Sequence, residues 1–316
     1  MFEIIKSVLL LLLGFVLLIK GADFFVDGSS SVAKRLKVPS IIIGLTIVAM
    51  GTSLPECAVS VTASISNNNA LAISNAVGSN IFNLLVVCGC CSLFAPLSIK
   101  RDTLLKEFPL SILCAVLLLA LGFFGNQLGT VDGIIFLLLF IGYIVWMIFS
   151  ALKARKNTEQ LQVENYKILP VWKCVLFIIG GGIAIKFGGD FVVDGASYIA
   201  QSFGLSQNLI GLTIVAMGTS LPELVTSIVA ARKKEVDMAL GNVIGSNIFN
   251  ILFVLGTAAA ISPMAFVTEN LIDIILLIAV SLIIYLFSWT SGKIKRSEGI
   301  IMLLLYAGFS VYICIR

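Results

Sequence analysis

Gly44-Leu-Thr-Ile-Val-Ala-Met-Gly-Thr-Ser-Leu-Pro-Glu56 decides the reading of this chain, because it occurs twice. All thirteen residues recur in order at Gly211–Glu223. At the same offset of 167, Gly78-Ser-Asn-Ile-Phe-Asn83 recurs as Gly245–Asn250. Asp23 and Asp27 return as Asp190 and Asp194, Asn75 as Asn242, and Pro96 as Pro263. A repeat of this extent means two equivalent structural units. They are residues 1–151 and 172–316, joined by a linker at 152–171.

The composition around the repeat says where these units live. Of 316 residues, 59% are hydrophobic and 12% charged, with a mean hydropathy of +1.09. A soluble domain carries about 25% charged residues, so this chain lacks the charge to cover a water-facing surface, and an ordinary soluble enzyme is excluded. Windows of about 20 apolar residues predict ten membrane-spanning helices, near 4–30, 40–65, 70–95, 106–125, 130–151, 172–197, 207–231, 238–262, 271–289 and 299–315. The expected fold is an all-α, polytopic membrane protein. The opening run Val8–Ile19 continues past Gly21 with no A-x-A-type cleavage site and reads as the first span, not a signal peptide.

Charge sets the orientation. Seventeen of the 21 Lys and Arg residues fall in five loops, at 34–37, 100–106, 153–173, 232–234 and 293–296. The opposite face has only Lys6 and Arg316, while Lys20 and Lys186 lie within spans. By the positive-inside rule the basic face is cytoplasmic, and both termini lie outside. Five spans per half is an odd number, so the second half must enter from the other side. The loops agree: 34–39 is basic and its repeat partner 201–206 uncharged, whereas 66–70 is neutral and 232–237 basic. The reading is therefore two inverted five-helix repeats. In secondary transporters such repeats put the substrate site near the bilayer midplane, where broken helices of both halves meet.

The motif chemistry points to the same place. Glu56 and Glu223 lie inside spans, where an acidic residue is disfavoured by about 2.5–3.5 kcal/mol on insertion scales, so each marks a functional site. The competing structural reading pairs them with Lys20 or Lys186. Pro55 and Pro222 offer no N–H and crowd the carbonyl four residues back, which frees carbonyls around Gly51 and Thr52, and around Gly218 and Thr219. Such carbonyls are tolerated at membrane depth where they line a cavity or meet a ligand. Thr52 and Glu56 are i,i+4 neighbours, as are Ser79 and Asn83 and, in the second half, Ser246 and Asn250. Carboxylates, carbonyls, hydroxyls and amides, with no thiolate or imidazole, make an oxygen-only set suited to Ca2+ or Na+ and poor for zinc or copper. Two negative charges balance one Ca2+ or two Na+, the charge logic of exchange. There is no histidine, which removes His-based triads and proton relays. The seven cysteines lie in or beside apolar runs, and Cys88-Gly-Cys90-Cys91 reads as packing, not as a metal cluster.

At these residues the sequence resembles the sodium/calcium exchanger family of the cation/calcium antiporter superfamily, prokaryotic type. The family's two repeats read G-T-S-x-P-E followed by G-S-N-x-x-N/D. Both motifs occur twice here, in the right order, and the likeness covers essentially the whole chain. The resemblance implies a ten-helix antiporter of the cell membrane, not an enzyme, with Ca2+ and Na+ as substrates and no resident cofactor. It implies no nucleic-acid partner, the lipid bilayer as surroundings, and function as a monomer. Carried over residue by residue, Glu56 and Glu223 would be shared Ca2+/Na+ ligands. Thr52, Thr219, Ala49 and Ala216 would add backbone carbonyls, and Ser53, Ser79, Ser220 and Ser246 would be Na+ ligands. Asn83 and Asn250 would complete the centre, and the long first and sixth helices would slide to switch access. Some relatives carry Asp at the position of Asn250. Two Asn here leave two central carboxylates, which argues against K+ co-transport.

Three other functions compete. A H+/Ca2+ exchanger would use the same glutamates as proton carriers, and a passive channel would need no counter-ion. An intramembrane aspartyl protease is suggested superficially by Gly188-Gly189-Asp190, but needs two aspartates converging on one peptide bond. Asp23, Asp27, Asp190 and Asp194 read equally as ion-attracting vestibules or as caps and interhelical hydrogen bonds. Gly180-Gly-Gly182 and Gly188-Gly189 read as sites of close helix packing.

Overall fold

The computed structural model describes residues 2–66, 69–158, 168–204, 214 and 216–315. Apolar runs close their backbone hydrogen bonds within each segment, as a membrane requires, and the regular structure of the described residues is helical apart from four two-residue strands. The helices are α1 (Phe2–Leu36), α2 (Ser40–Thr52), α3 (Leu54–Ile65), α4 (Leu71–Phe94), α5 (Thr103–Gly125), α6 (Thr130–Thr158), α7 (Val171–Ser202), α8 (Leu221–Arg232), α9 (Val236–Ile261), α10 (Thr268–Ser291) and α11 (Arg296–Ile315). Among the described residues eight helices are long and apolar enough to cross a membrane, and the pair α2–α3, bent by 48°, makes nine. The expected span 207–231 is described only at 214 and from 216 on. There a helical turn, Ala216–Gly218, leads through Ser220 into α8.

Several helices outrun the expected spans. α1 continues to Leu36 instead of ending near 30, α7 to Ser202 instead of 197, and α6 to Thr158, into the segment expected to be linker. A hydropathy window measures the hydrocarbon crossing, and a helix need not stop there. Lys34 and Arg35 in the last turn of α1 favour that continuation, since cations stabilise helix C-termini. Residues 159–167 of the linker lie outside the described residues.

Burial sorts the helices into an inner and an outer set. The apolar windows of α4 and α9 are 72% and 78% buried, against 11–33% for the other long helices, whose apolar side chains face outward. The inner helices pack backbone to backbone across the two halves. A methyl on Gly44 of α2 would lie 2.6 Å from the Met238 carbonyl of α9, and one on Gly241 2.6 Å from the Ile41 carbonyl. Small residues are what allow such approach in membranes. Cys88, Cys91 and Cys114 are buried in the apolar core.

The repeat-related helices α1 and α7 lie side by side and antiparallel. Gly14 meets Gly188, Gly21 meets Gly181, and Gly28 meets Cys174. The strands pair reciprocally: β1 (Leu97–Ser98) with β4 (Lys293–Ile294), and β2 (Gln127–Leu128) with β3 (Met264–Ala265), both antiparallel.

Candidate functional site

Pro55 and Pro222 break their helices where the sequence requires it. Each sits in the first turn of α3 or α8, and the residue before that helix leaves helical geometry in the same way, Ser53 at φ −87°, ψ 11° and Ser220 at φ −92°, ψ 4°. The break puts Ser53 and Glu56, and Ser220 and Glu223, at helix starts in the middle of the molecule. Glu56 and Glu223 are 0% and 1% exposed.

Each glutamate is held by the other half. Ser53 Oγ donates to Glu223 Oε1 at 2.6 Å, and Ser220 Oγ to Glu56 Oε1 at 3.1 Å. Ser220 also lies 3.0 Å from Ser79 Oγ, and Ser79 donates to Glu56 Oε1 at 3.4 Å. Ser246 Oγ donates to the Ala49 carbonyl at 3.5 Å, an oxygen that also accepts the Ser53 N–H at 3.1 Å. Thr52 Oγ1 reaches the Val48 carbonyl and Asn242 Oδ1, both at 3.1 Å. Thr219 Oγ1 is buried and makes no hydrogen bond within 3.5 Å among the described residues. Of Ala216 only its place in the turn Ala216–Gly218 is described.

Four more asparagines complete the network, and sequence reasoning gave none of them a role at the site. Asn75 Nδ2 donates to the Glu56 carbonyl (3.2 Å) and Ser60 Oγ (3.0 Å). Asn242 Nδ2 makes the repeat-related pair, to the Glu223 carbonyl (3.4 Å) and Ser227 Oγ (2.9 Å). Asn80 and Asn247 bind Asn250 and Asn83 across the halves. The available signal was a polar residue in an apolar span, returning at the repeat offset. Asn83 and Asn250 each open a π-helical segment, Asn83–Val87 and Asn250–Leu255, a widening often found at functional sites.

Among the described residues, four buried oxygens in this network have no donor: Glu56 Oε2, Glu223 Oε2, Asn83 Oδ1 and Asn250 Oδ1. A carboxylate or amide oxygen can only accept, and leaving one unmet in the interior costs about 1–3 kcal/mol or more. The suggested pairing with Lys186 is not found, since that ammonium lies 2.5 Å from Asp190 on its own helix. Among the described residues no ion pair reaches either glutamate, Lys20 included. Nor do three or more His, Cys, Asp or Glu converge on a metal site, so neutral oxygens must supply most of any coordination here. An apolar cleft of about 540 Å³ between α2 and α6, lined by Ile42, Ile47, Met50 and Phe140, has no ionisable side chain in its wall.

Three of the four outlying aspartates, Asp23, Asp27 and Asp190, have lysine partners. Lys233 lies 2.8 Å from Asp27 and 3.4 Å from Asp23, tying α1 to the end of α8. Of the two readings for Asp27, the interhelical contact is the one observed. The antiparallel α1–α7 register puts Asp23 and Asp190 some ten residues apart along the pair, roughly 15 Å, so they do not converge as a protease dyad.

This is an integral, multi-pass membrane protein built around two buried carboxylates and a set of unmet acceptor oxygens. The family model described as sodium/calcium exchanger protein matches residues 6–149 and again 173–315. The chain belongs to that family. CaxA of Alkalimonas amylolytica, an antiporter by name, is 41% identical over 96% of this chain and 97% of its own. The sodium/calcium exchanger MaX1 of Methanosarcina acetivorans is 33% identical over 96% and 97%. A solved structure of the sodium-calcium exchanger NCX_Mj, soaked with Na+ and Sr2+, superposes with a TM-score of 0.83 at 35% identity, covering 96% of this chain and 97% of the other.

Proposed function

We propose that the protein is a secondary active antiporter that exchanges Ca2+ for Na+ across the cell membrane by alternating access, both ions using one central site. The four donorless oxygens carry this reading. They are two from each half, two charged and two neutral, and a hard cation is the partner such oxygens suit. Glu56 and Glu223 are the shared ligands. Backbone carbonyls of Thr52, Thr219, Ala49 and Ala216, and the hydroxyls of Ser53, Ser79, Ser220 and Ser246, fill out the shell with Asn83 and Asn250. The hydroxyls of Ser53, Ser79 and Ser220 donate to the carboxylates, which leaves serine lone pairs for a cation.

The halves are inverted-topology repeats of five helices each, with the basic loops and not the termini in the cytoplasm. The antiparallel course of the repeat-related α1 and α7, and the reciprocal pairing of the strands, support this. The two sides of the site are unequal, as alternating access demands. Thr52 and Asn242 are 1% and 0% exposed and bonded to each other. Their repeat partners Thr219 and Asn75 are half-buried. On the proposed orientation the site is sealed toward the cytoplasm and looser toward the outside.

Na+ is preferred over H+ as the coupling ion because a proton needs no ring of hydroxyl and amide oxygens. Equilibrium Ca2+ binding to the purified protein tests the shared site. Two carboxylates should bind one Ca2+ per chain, displaced cooperatively by Na+, since two Na+ replace its charge. Simultaneous binding of both ions in full would contradict a shared site. With Asn at both 83 and 250, Na+-driven Ca2+ flux should be the same with and without K+ at clamped membrane potential. A strict K+ requirement would overturn the charge count.

A further inference from the structure

We propose that Asn80 and Asn247 are positioning residues that fix which end of the Asn250 and Asn83 side-chain amides is turned toward the cation site. The inference rests on the reading of that site as cation-binding. It begins from two backbone carbonyls, whose polarity is beyond doubt because a carbonyl can only accept. Asn80 Nδ2 donates to the carbonyl of Asn247 at 3.1 Å, and Asn247 Nδ2 to the carbonyl of Asn80 at 3.4 Å. These two bonds cross the halves and fix both amides: each has its nitrogen on the partner's backbone and its oxygen on the far side.

The order then propagates. Asn80 Oδ1 needs a donor and receives Asn250 Nδ2 at 3.1 Å, while Asn247 Oδ1 receives Asn83 Nδ2 at 3.2 Å. With their nitrogens committed, Asn250 and Asn83 must turn their oxygens the other way, and those two oxygens are the buried, donorless ones. Turning either amide over would set oxygen against oxygen on the Asn80 or Asn247 side and present an NH2 group to a cation. All four side chains are 0–2% exposed, so no bulk water can repair such a reversal. The device is crossed: Asn80 of the first half orients Asn250 of the second, and Asn247 of the second orients Asn83 of the first.

Crossing gives the test its discrimination. Ca2+ affinity is measured on the full-length purified protein for Asn80→Ala alone, and again in the Asn250→Ala and Asn83→Ala backgrounds. Asn80→Ala should weaken binding by about tenfold, the worth of one buried hydrogen-bonded orientation. In the Asn250→Ala background that loss should shrink to less than about twofold, since the amide it orients is gone, whereas in the Asn83→Ala background it should persist. Asn247→Ala should show the opposite pattern, coupled to Asn83 and not to Asn250. Losses that add in both backgrounds, or couple equally to both, would overturn the assignment and leave only a general packing role. Monodisperse elution in detergent checks folding. If Asn80→Ala fails that check, Asn80→Ser is taken through the same cycle with the same expected pattern. Absence of Ca2+ binding by the unmodified protein would instead overturn the cation-site reading itself, so the two failures are distinguishable.

Discussion

At the scale of single residues, the two glutamates are alike in burial but not in how firmly they are held. Ser53 gives its one hydroxyl hydrogen to Glu223 at 2.6 Å, whereas Ser220 is shared between Glu56 at 3.1 Å and Ser79 at 3.0 Å. A hydrogen bond to a charged group contributes about 1.5–3 kcal/mol. Ser53→Ala should therefore weaken Ca2+ binding by roughly tenfold to a hundredfold, and Ser220→Ala by less; equal losses in a titration would show that the asymmetry is irrelevant. Glu56→Gln and Glu223→Gln keep shape and remove charge. Each should lower Ca2+ affinity by about a hundredfold or more, the scale of removing one partner from a buried ion pair, with the variants still monodisperse. The sequence made these glutamates, Ser79, Ser246, Asn83 and Asn250 legible because a charged or polar residue inside an apolar span needs a reason, whereas Ser53 and Ser220 came from the family motif alone. It did not make Asn80 and Asn247 legible as partners of the opposite half, because which residue a side chain crosses to meet is a property of packing, not of spacing.

Among the helices, the sliding that the family resemblance implies would fall to α1 and α7. Gly14, Gly21 and Gly28 of α1 are the repeat partners of Gly181, Gly188 and Gly195 of α7. A methyl on Gly21 would lie 2.9 Å from the Gly181 carbonyl, and one on Gly188 2.7 Å from the Leu18 nitrogen. Backbone offers no soft atom to yield, so Gly188→Ala should spread the pair and slow exchange severalfold while leaving Ca2+ affinity within about twofold, overpacking of this kind being felt through strain. Flux and binding measured on one preparation check the split; an affinity loss matching the flux loss would contradict it. The basic-side end of α1 is clasped by the loop between α8 and α9, where Ser30 and Ser40 donate to Glu235 and Lys34 lies 3.2 Å from it. Burial pushes the Glu235 carboxyl up, but the two hydroxyls and the lysine outweigh it and hold the carboxyl below its ordinary value of 4.5. Because the folded value is the depressed one, the clasp is at full strength above pH 4.5 and is lost as pH falls through that lower value. Measured relative to a freely exposed thiol at the same pH, a cysteine introduced at Leu36 should label faster only on the acid side of 4.5, and Glu235→Gln should abolish that acid step; a step that persists in the variant would locate it elsewhere. Hydropathy could not reveal the length of α1, α6 and α7, since helix and hydrocarbon crossing end at different residues.

For the whole molecule, the proposed inversion rests on the charge of the loops, while the repeat itself was legible from thirteen identical residues. The reciprocal strand pairs were not, because two-residue strands leave no periodic trace. Topology is checked by cysteine labelling on a Cys-free background: positions 66–70 and 201–206 should react only from outside, 34–37 and 232–237 only from the cytoplasm. Repeat partners such as 34–37 and 201–204 labelling from one side would end the inverted-repeat reading. The central claim, that one site carries Ca2+ and Na+ in opposite directions by turns, is tested most directly by Ca2+ uptake into sealed vesicles containing the purified protein. The uptake is driven first by an outward Na+ gradient and then, in Na+-free medium, by an outward proton gradient. Ca2+ should accumulate against its own gradient with Na+ and not with protons, and Glu56→Gln should remove the accumulation. Accumulation driven by protons alone, or Ca2+ that only equilibrates whatever gradient is imposed, would contradict Na+-coupled exchange.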